Sequence, residues 1–217
     1  MKTLNNYRIS PIPEFGSFNY RLKKQTSCLG LYAHVTGRLE ACEASFIFEN
    51  RVMDGEIPRE FIPACEQGFR DAIAKGPLAG YPVTGVKAIL EGGSYHEVDS
   101  REIAFRLAAR KAFYQGFLAA NPAILEPIMS VVVQTRDRYA KAIIQDFLFH
   151  RGSIKQVNKR SIAFTVIYAE VPLSEMLGYA DRLRSLSERK SYFSMELINY
   201  QAVPESIQQQ LIEKTTA

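Results

Sequence analysis

The run Glu91-Gly92-Gly93-Ser94-Tyr95-His96-Glu97-Val98-Asp99-Ser100 separates two segments of different period. Behind it, Val83 to Leu90 is a short apolar stretch opened by the turn Gly80-Tyr81-Pro82, the pattern of a buried strand. Ahead of it, Phe105, Ala108, Ala109, Ala112, Phe113, Gly116 and Phe117 recur every three or four residues and give one apolar face to a helix over Ser100 to Ala119. The run itself is polar, so it is expected to be an exposed loop that turns sharply at its two glycines. Asp99 is expected to cap the helix, with Glu102 three residues on completing a capping box. Tyr95 and His96 would then ride outward on a loop held by a rigid helix, where binding residues tend to sit. With Ser94 they combine stacking surface and hydrogen-bond donors, the pairing that serves unstacked RNA bases.

Working outward, Phe18 to Glu49 alternates through Leu31, His34, Val35 and Leu39 to Phe46, Ile47 and Phe48, which reads as paired strands around a loop at Thr26-Ser27-Cys28-Leu29-Gly30. A helix is expected at Ile62 to Lys75, with Pro63 in its first turn and Cys65, Gly68, Phe69, Ala72 and Ile73 as its buried stripe. Asn121-Pro122 breaks the pattern, and a new order begins. A strand over Ile128 to Thr135 leads to a helix over Arg138 to His150, then a hairpin turns near Asn158-Lys159. A helix over Ser174 to Leu186 and a strand over Tyr192 to Tyr200 complete a βαββαβ, ferredoxin-like order. The tail after Pro204 reads as a short helix with a frayed end. The fold class is therefore α+β in two domains, 1–125 and 126–217.

Composition narrows the function classes. A hydrophobic fraction of 47% is ordinary for a globular chain, and no apolar run approaches the length of a membrane span. The three cysteines have no CxxC spacing and are expected to be reduced, structural thiols of a cytoplasmic protein. The net charge is only +4, yet basic residues cluster at Arg21, Lys23 and Lys24, at Arg151 with Lys155, Lys159 and Arg160, and at Arg182, Arg184, Arg189 and Lys190. Such clusters suit RNA phosphates as well as they suit solvated faces. His34, His96 and His150 lack metal-binding spacing, and neither a GxSxG elbow nor a phosphate loop of the GxxxxGK[ST] type is present. No catalytic residue, metal site or cofactor site is expected in this chain; His34 and His150 read as structural.

Several strings resemble elongation factor G, in its fourth and fifth domains: Lys24-Gln25-Thr26 leading to Gly30-Leu31-Tyr32-Ala33-His34-Val35, Gly76-Pro77-Leu78-Ala79-Gly80-Tyr81-Pro82-Val83, Gly93-Ser94-Tyr95-His96, and Leu125-Glu126-Pro127-Ile128-Met129. Ala169 to Met176, Leu183-Arg184-Ser185-Leu186 and Ser194-Met195-Glu196 extend the likeness, which runs from about Tyr7 to Pro204. The resemblance implies a ribosomal-protein-like fourth domain with a left-handed βαβ crossover, followed by a ferredoxin-like fifth domain. It also implies a ribosome-binding part of a translational GTPase. Its tip would occupy the small-subunit decoding region during tRNA–mRNA translocation, and its fifth domain would rest on large-subunit RNA.

By the motif match the RNA contacts are Gly93, Ser94, Tyr95 and His96 in one tip loop, Lys24, Gln25, Ser27, Gly30 and Tyr32 in the other, and Arg151 and Arg184 in the fifth domain. GTP and magnesium would be bound by a GTPase domain outside these residues, and the chain is expected to act as a monomer with no membrane partner. Ser27-Cys28-Leu29-Gly30-Leu31-Tyr32 departs from the usual glycine- and arginine-rich loop, Phe147-Leu148-Phe149-His150 replaces a more basic run, and Arg189 stands where glycine is usual. These departures mark a divergent paralogue and open one alternative, while Met1 at the start of the chain motivates another. One is a recycling or tetracycline ribosomal-protection factor; the other is a stand-alone RNA-binding module.

Overall fold

The structure, a computed structural model, describes residues 7–10, 16–25, 30–161 and 163–216. Contacts divide the chain into two units: Arg8–Ile124 together with the tail from Val203, and Leu125–Ala202 together with Tyr7.

In the first unit a short strand β1 (Arg8–Ser10) runs beside Val83, with the Ile9 amide donating to the Pro82 carbonyl at 3.0 Å. Two long strands follow, β2 (Gly16–Gln25) and β3 (Gly30–Ala41), then β4 (Phe46–Asn50), α1 (Ile62–Ala74), β5 (Val86–Ser94) and α2 (Glu102–Ala119). The sheet order is β2-β3-β5-β4, with β3 antiparallel to both its neighbours and β4 parallel to β5. The unit β4–α1–β5 is thus a βαβ crossover between adjacent strands. Alternation fixes the sheet's two faces. Phe18, Leu22, Ala33, Val35 and Leu39 turn in against the helices, while Asn19, Arg21, Lys23, Tyr32 and His34 turn out. Phe69 of α1 is the hub of the core, with its ring 5.6 Å from Phe18, 5.8 Å from Phe48 and 6.4 Å from Phe113.

The second unit runs β6 (Ala123–Arg136), α3 (Asp137–Phe149), β7 (Ser153–Ser161), β8 (Phe164–Pro172), α4 (Tyr179–Leu186) and β9 (Tyr192–Ala202). Its strands lie in the order β9-β6-β8-β7, every pair antiparallel, which is the ferredoxin-like sheet expected from the element order. Val131, Val133, Ile167, Ala169 and Val171 face Ile143 and Phe147 of α3 and Tyr179 and Leu183 of α4. Beyond β9 the tail forms α5 (Glu205–Thr216), which Gln208 ties to the first unit by accepting the Ile124 amide at 2.9 Å.

Four local expectations are corrected. Gly92 and Gly93 do not turn; they extend β5, paired with Thr36 and Val35, and the chain leaves the sheet only after Ser94. Their lack of a side chain serves close approach, because a Cβ on Gly93 would run into the His34 carbonyl. Asp99 does not cap α2: the N-cap is Arg101, with no side-chain cap bond. The hairpin does not turn at Asn158 and Lys159, which remain paired with Val166 and Thr165 as β7 runs on to Ser161. Finally, the helix expected from Ser174 is split, with a 3₁₀ turn at Leu173–Met176 separated from α4 by Gly178 at φ 71°.

Candidate nucleic-acid interface

The far end of β2 and β3 meets the turn that follows β5, and the expected tip residues gather there. Lys23, Lys24, Gln25, Gly30, Leu31, Tyr32, His96 and Asp99 line one cleft of about 250 Å³. Backbone bonds join its walls, with the Tyr32 amide donating to the Asp99 carbonyl at 2.9 Å. The Ser100 hydroxyl donates to the Tyr32 carbonyl at 2.8 Å and accepts the His96 amide at 2.9 Å. Ser100 therefore does at this turn what Asp99 was expected to do at the helix. Gly30 is closely packed against the Asp99 carboxylate, which leaves no room for a Cβ.

The hydrogen bonds polarise the site. His96 Nδ1 accepts the Val98 and Asp99 amides, each at 3.3 Å, so the neutral ring carries its proton on Nε2. That N–H is an outward donor on a side chain that is 55% exposed. The Tyr32 and His96 rings stand 6.2 Å apart at 54°, which leaves ring faces open to the cleft. Behind them runs a relay with a defined direction. Asn19 Oδ1 can only accept, so His34 Nε2 donates to it at 2.8 Å. His34 Nδ1 then accepts from the Ser94 hydroxyl at 3.3 Å, and Ser94 in turn accepts from the Tyr32 hydroxyl at 2.8 Å. Burial, and secondarily the Arg21 guanidinium, hold the His34 pKa below its ordinary value, which keeps the ring in the neutral form that the relay needs.

Tyr95, Arg151 and Arg184 do not line this cleft. Tyr95 is 42% exposed. Ser27 lies outside the described residues. Arg184, in the second unit, pairs with Asp181 at 2.8 Å on an exposed helix face and borders a cleft of about 300 Å³ with Arg189, Ser191, Tyr192 and Phe193. Arg151 is engaged within its unit: it grips Glu126 through two nitrogens at 2.6 and 3.0 Å, Glu175 at 2.9 Å and Ser174 at 3.0 Å. Four of its five N–H donors are thereby engaged, and it holds β6 to the turn before α4. His150 is also structural, with Nδ1 2.8 Å from the Asp146 carbonyl of its own helix. Among the described residues no cluster of His, Cys, Asp and Glu is placed to hold a metal.

Sequence reading does not name Lys23 or Asn19 as contacts of the tip, and it gives Asp99, within the second tip loop, the role of a helix cap. The signal for the first two is present in the alternation Asn19, Arg21, Lys23, Gln25 along a strand, which sets all four on one face.

Residues 9–121 match the family described as elongation factor G, domain IV, and residues 123–211 match the elongation factor G C-terminus. The chain belongs to the elongation factor G family. It is 45% identical over 211 residues to elongation factor G of Rhodopirellula baltica, which covers 95% of this chain and 30% of that protein. To elongation factor G 1 of Syntrophus aciditrophicus it is 41% identical, over 98% of this chain and 31% of the relative. A crystal structure of a Thermus thermophilus protein superposes with a TM-score of 0.79 at 35% identity, covering 98% of this chain and 32% of that one. The chain thus spans about a third of the elongation factor G relatives it matches.

Proposed function

We propose that this chain is the ribosome-binding part of an elongation-factor-G-like translational GTPase, with its domain border near residue 125, and that its tip cleft touches RNA in the small-subunit decoding region during tRNA–mRNA translocation. The observation that carries the reading is the convergence of Lys23, Lys24, Gln25, Tyr32 and His96 on one cleft, in a chain whose two halves both match the family. The cleft offers cations for phosphates, ring faces for bases and one fixed outward donor on His96, and nothing in it does bond chemistry. Its contribution is mechanical: a rigid body held by strands and a helix occupies space and biases which way the RNA moves. Arg184 and its neighbours on α4 supply a second contact, to large-subunit RNA. GTP and magnesium act in parts of the relatives that this chain does not cover.

In the full-length factor, His96→Ala is expected to slow single-turnover translocation at least several-fold while ribosome-stimulated GTP hydrolysis stays near wild type. Unchanged translocation would remove His96 from the mechanism. The altered first loop, Ser27 to Leu31, favours a second task of the same kind on the same ribosome: subunit recycling or displacement of tetracycline. Subunit-splitting and drug-protection assays with the full-length factor decide whether that task replaces translocation.

A further inference from the structure

The sequence marks Arg21, Lys23 and Lys24 as a basic cluster, and the tip cleft accounts for only part of it. Arg21 and Lys23 lie on the outward face of the edge strand β2, opposite His34 and Tyr32 of β3. Alternate residues on a strand are about 7 Å apart, a spacing comparable to that of neighbouring phosphates on an extended RNA strand. Asn19 and Gln25 continue the same row at either end, so four hydrogen-bonding side chains alternate along one line.

Among the described residues no carboxylate pairs with Arg21 or Lys23, although both are exposed. Arg21 and Lys23 differ in this respect from Arg38 further along the face, which is paired. The acids further along the face are already engaged: Glu40 and Glu91 both bind Arg38, Glu40 at 2.8 Å. Arg21 is the cross-strand partner of His34, on the same face of the sheet, and its positive charge adds to burial in lowering the proton affinity of that ring. The face therefore joins a cationic row to an adjacent row of rings, His34 and Tyr32, with His96 at its upper end.

We infer that the outward face of β2 and β3 is a track for a single RNA strand leaving the tip cleft, with Lys23 and Arg21 taking successive phosphates and Tyr32 facing the bases. The inference rests on the RNA reading of the tip and extends it by about two nucleotides. A single-stranded segment fits better than a duplex, because one cationic row lies beside one row of rings and exposed bases can reach the rings.

The test uses this chain and a short fluorescein-labelled oligouridine, with affinity read by anisotropy from low to moderate salt. The Arg21→Gln, Lys23→Gln double variant is expected to bind several-fold more weakly and to flatten the plot of log affinity against log salt by about 0.7 for each lost phosphate contact. A charge-matched control, Lys111→Gln with Lys141→Gln on α2 and α3, is expected to keep the wild-type slope; thermal melts confirm that both pairs fold. If the double variant matches the control while His96→Ala weakens binding, the track is overturned and the tip reading survives. If His96→Ala binds as wild type while the double variant loses affinity, the cationic row binds RNA by itself, and the tip reading is overturned together with a track that leads out of the cleft. Absence of any salt-sensitive binding by the wild type overturns both.

Discussion

His34 illustrates how a residue's environment sets its chemistry. Its ring is half-buried between two strands and beside a cation, and both effects disfavour the imidazolium form. A histidine whose folded pKa lies below 6.5 adds stability that is complete above that value and is lost as pH falls through the folded pKa. Wild type is therefore expected to lose stability relative to His34→Gln as urea melts are taken from about pH 7.5 to about pH 5; a constant gap would show that the relay does not depend on neutral His34. Arg151 makes the complementary case. Glu126 is only 3% exposed, and its charge is tolerated because Arg151 binds both of its oxygens. Arg151→Met would strand that carboxylate and should cost about 3 kcal/mol in urea unfolding; a loss below about 1 kcal/mol would place the ion pair among the weak surface pairs. From sequence Arg151 reads as a phosphate contact, since a basic residue after a helix looks the same whether its partner is RNA or a distant glutamate. Cys65 is the inert thiol that its spacing suggests. Burial pushes its pKa up to about 12, so it holds its proton and packs as an apolar group.

At the scale of elements, periodicity is legible in the sequence, and the point where one period gives way to the next is not. The buried faces of α1 and α2 follow from spacing: Cys65, Gly68, Phe69 and Ala72 are inside, as are Phe105, Ala108, Ala109, Ala112, Phe113, Gly116 and Phe117. The stretch that misleads is Gly92-Gly93, because two adjacent glycines signal a turn as strongly as they signal close packing. The structure uses them for packing. A bulge opposite Thr36 and Gly37 leaves Glu91 unpaired in β5, and the strand then continues to Ser94, which places that hydroxyl between Tyr32 and His34. Gly93→Ala should therefore act on both stability and site. Its new methyl would press on the His34 carbonyl and on the Ile57 side chain, 2.8 Å away. The expected loss is about 1–3 kcal/mol in denaturant melts, with weaker RNA binding at a temperature where the variant is still folded. A variant as stable as wild type would show that β5 can shift to make room.

For the whole molecule, two units with separate cores carry two kinds of surface. The first unit exposes a polar, cationic sheet face that ends in the tip cleft. The second has a ferredoxin-like sheet with Tyr179 stacked on Phe147 at 5.1 Å and an arginine-bearing cleft at α4. The order of strands and helices is sufficient to give the second architecture, while the pairing of β4 with β5 across α1 comes from the family likeness, since parallel pairing between distant segments leaves no local pattern. The tip residues are identified in the same way; their convergence and the direction of their hydrogen bonds become visible only in three dimensions. The claim that unites these findings is that the cleft around His96 faces RNA of the decoding region. It is tested most directly by tethering an iron chelate at Val98→Cys, an exposed position two residues from His96, in a full-length factor without other reactive thiols. Hydroxyl-radical cleavage on the ribosome should fall in small-subunit decoding RNA, whereas cleavage confined to other ribosomal RNA, or absent from the ribosome, would contradict the account.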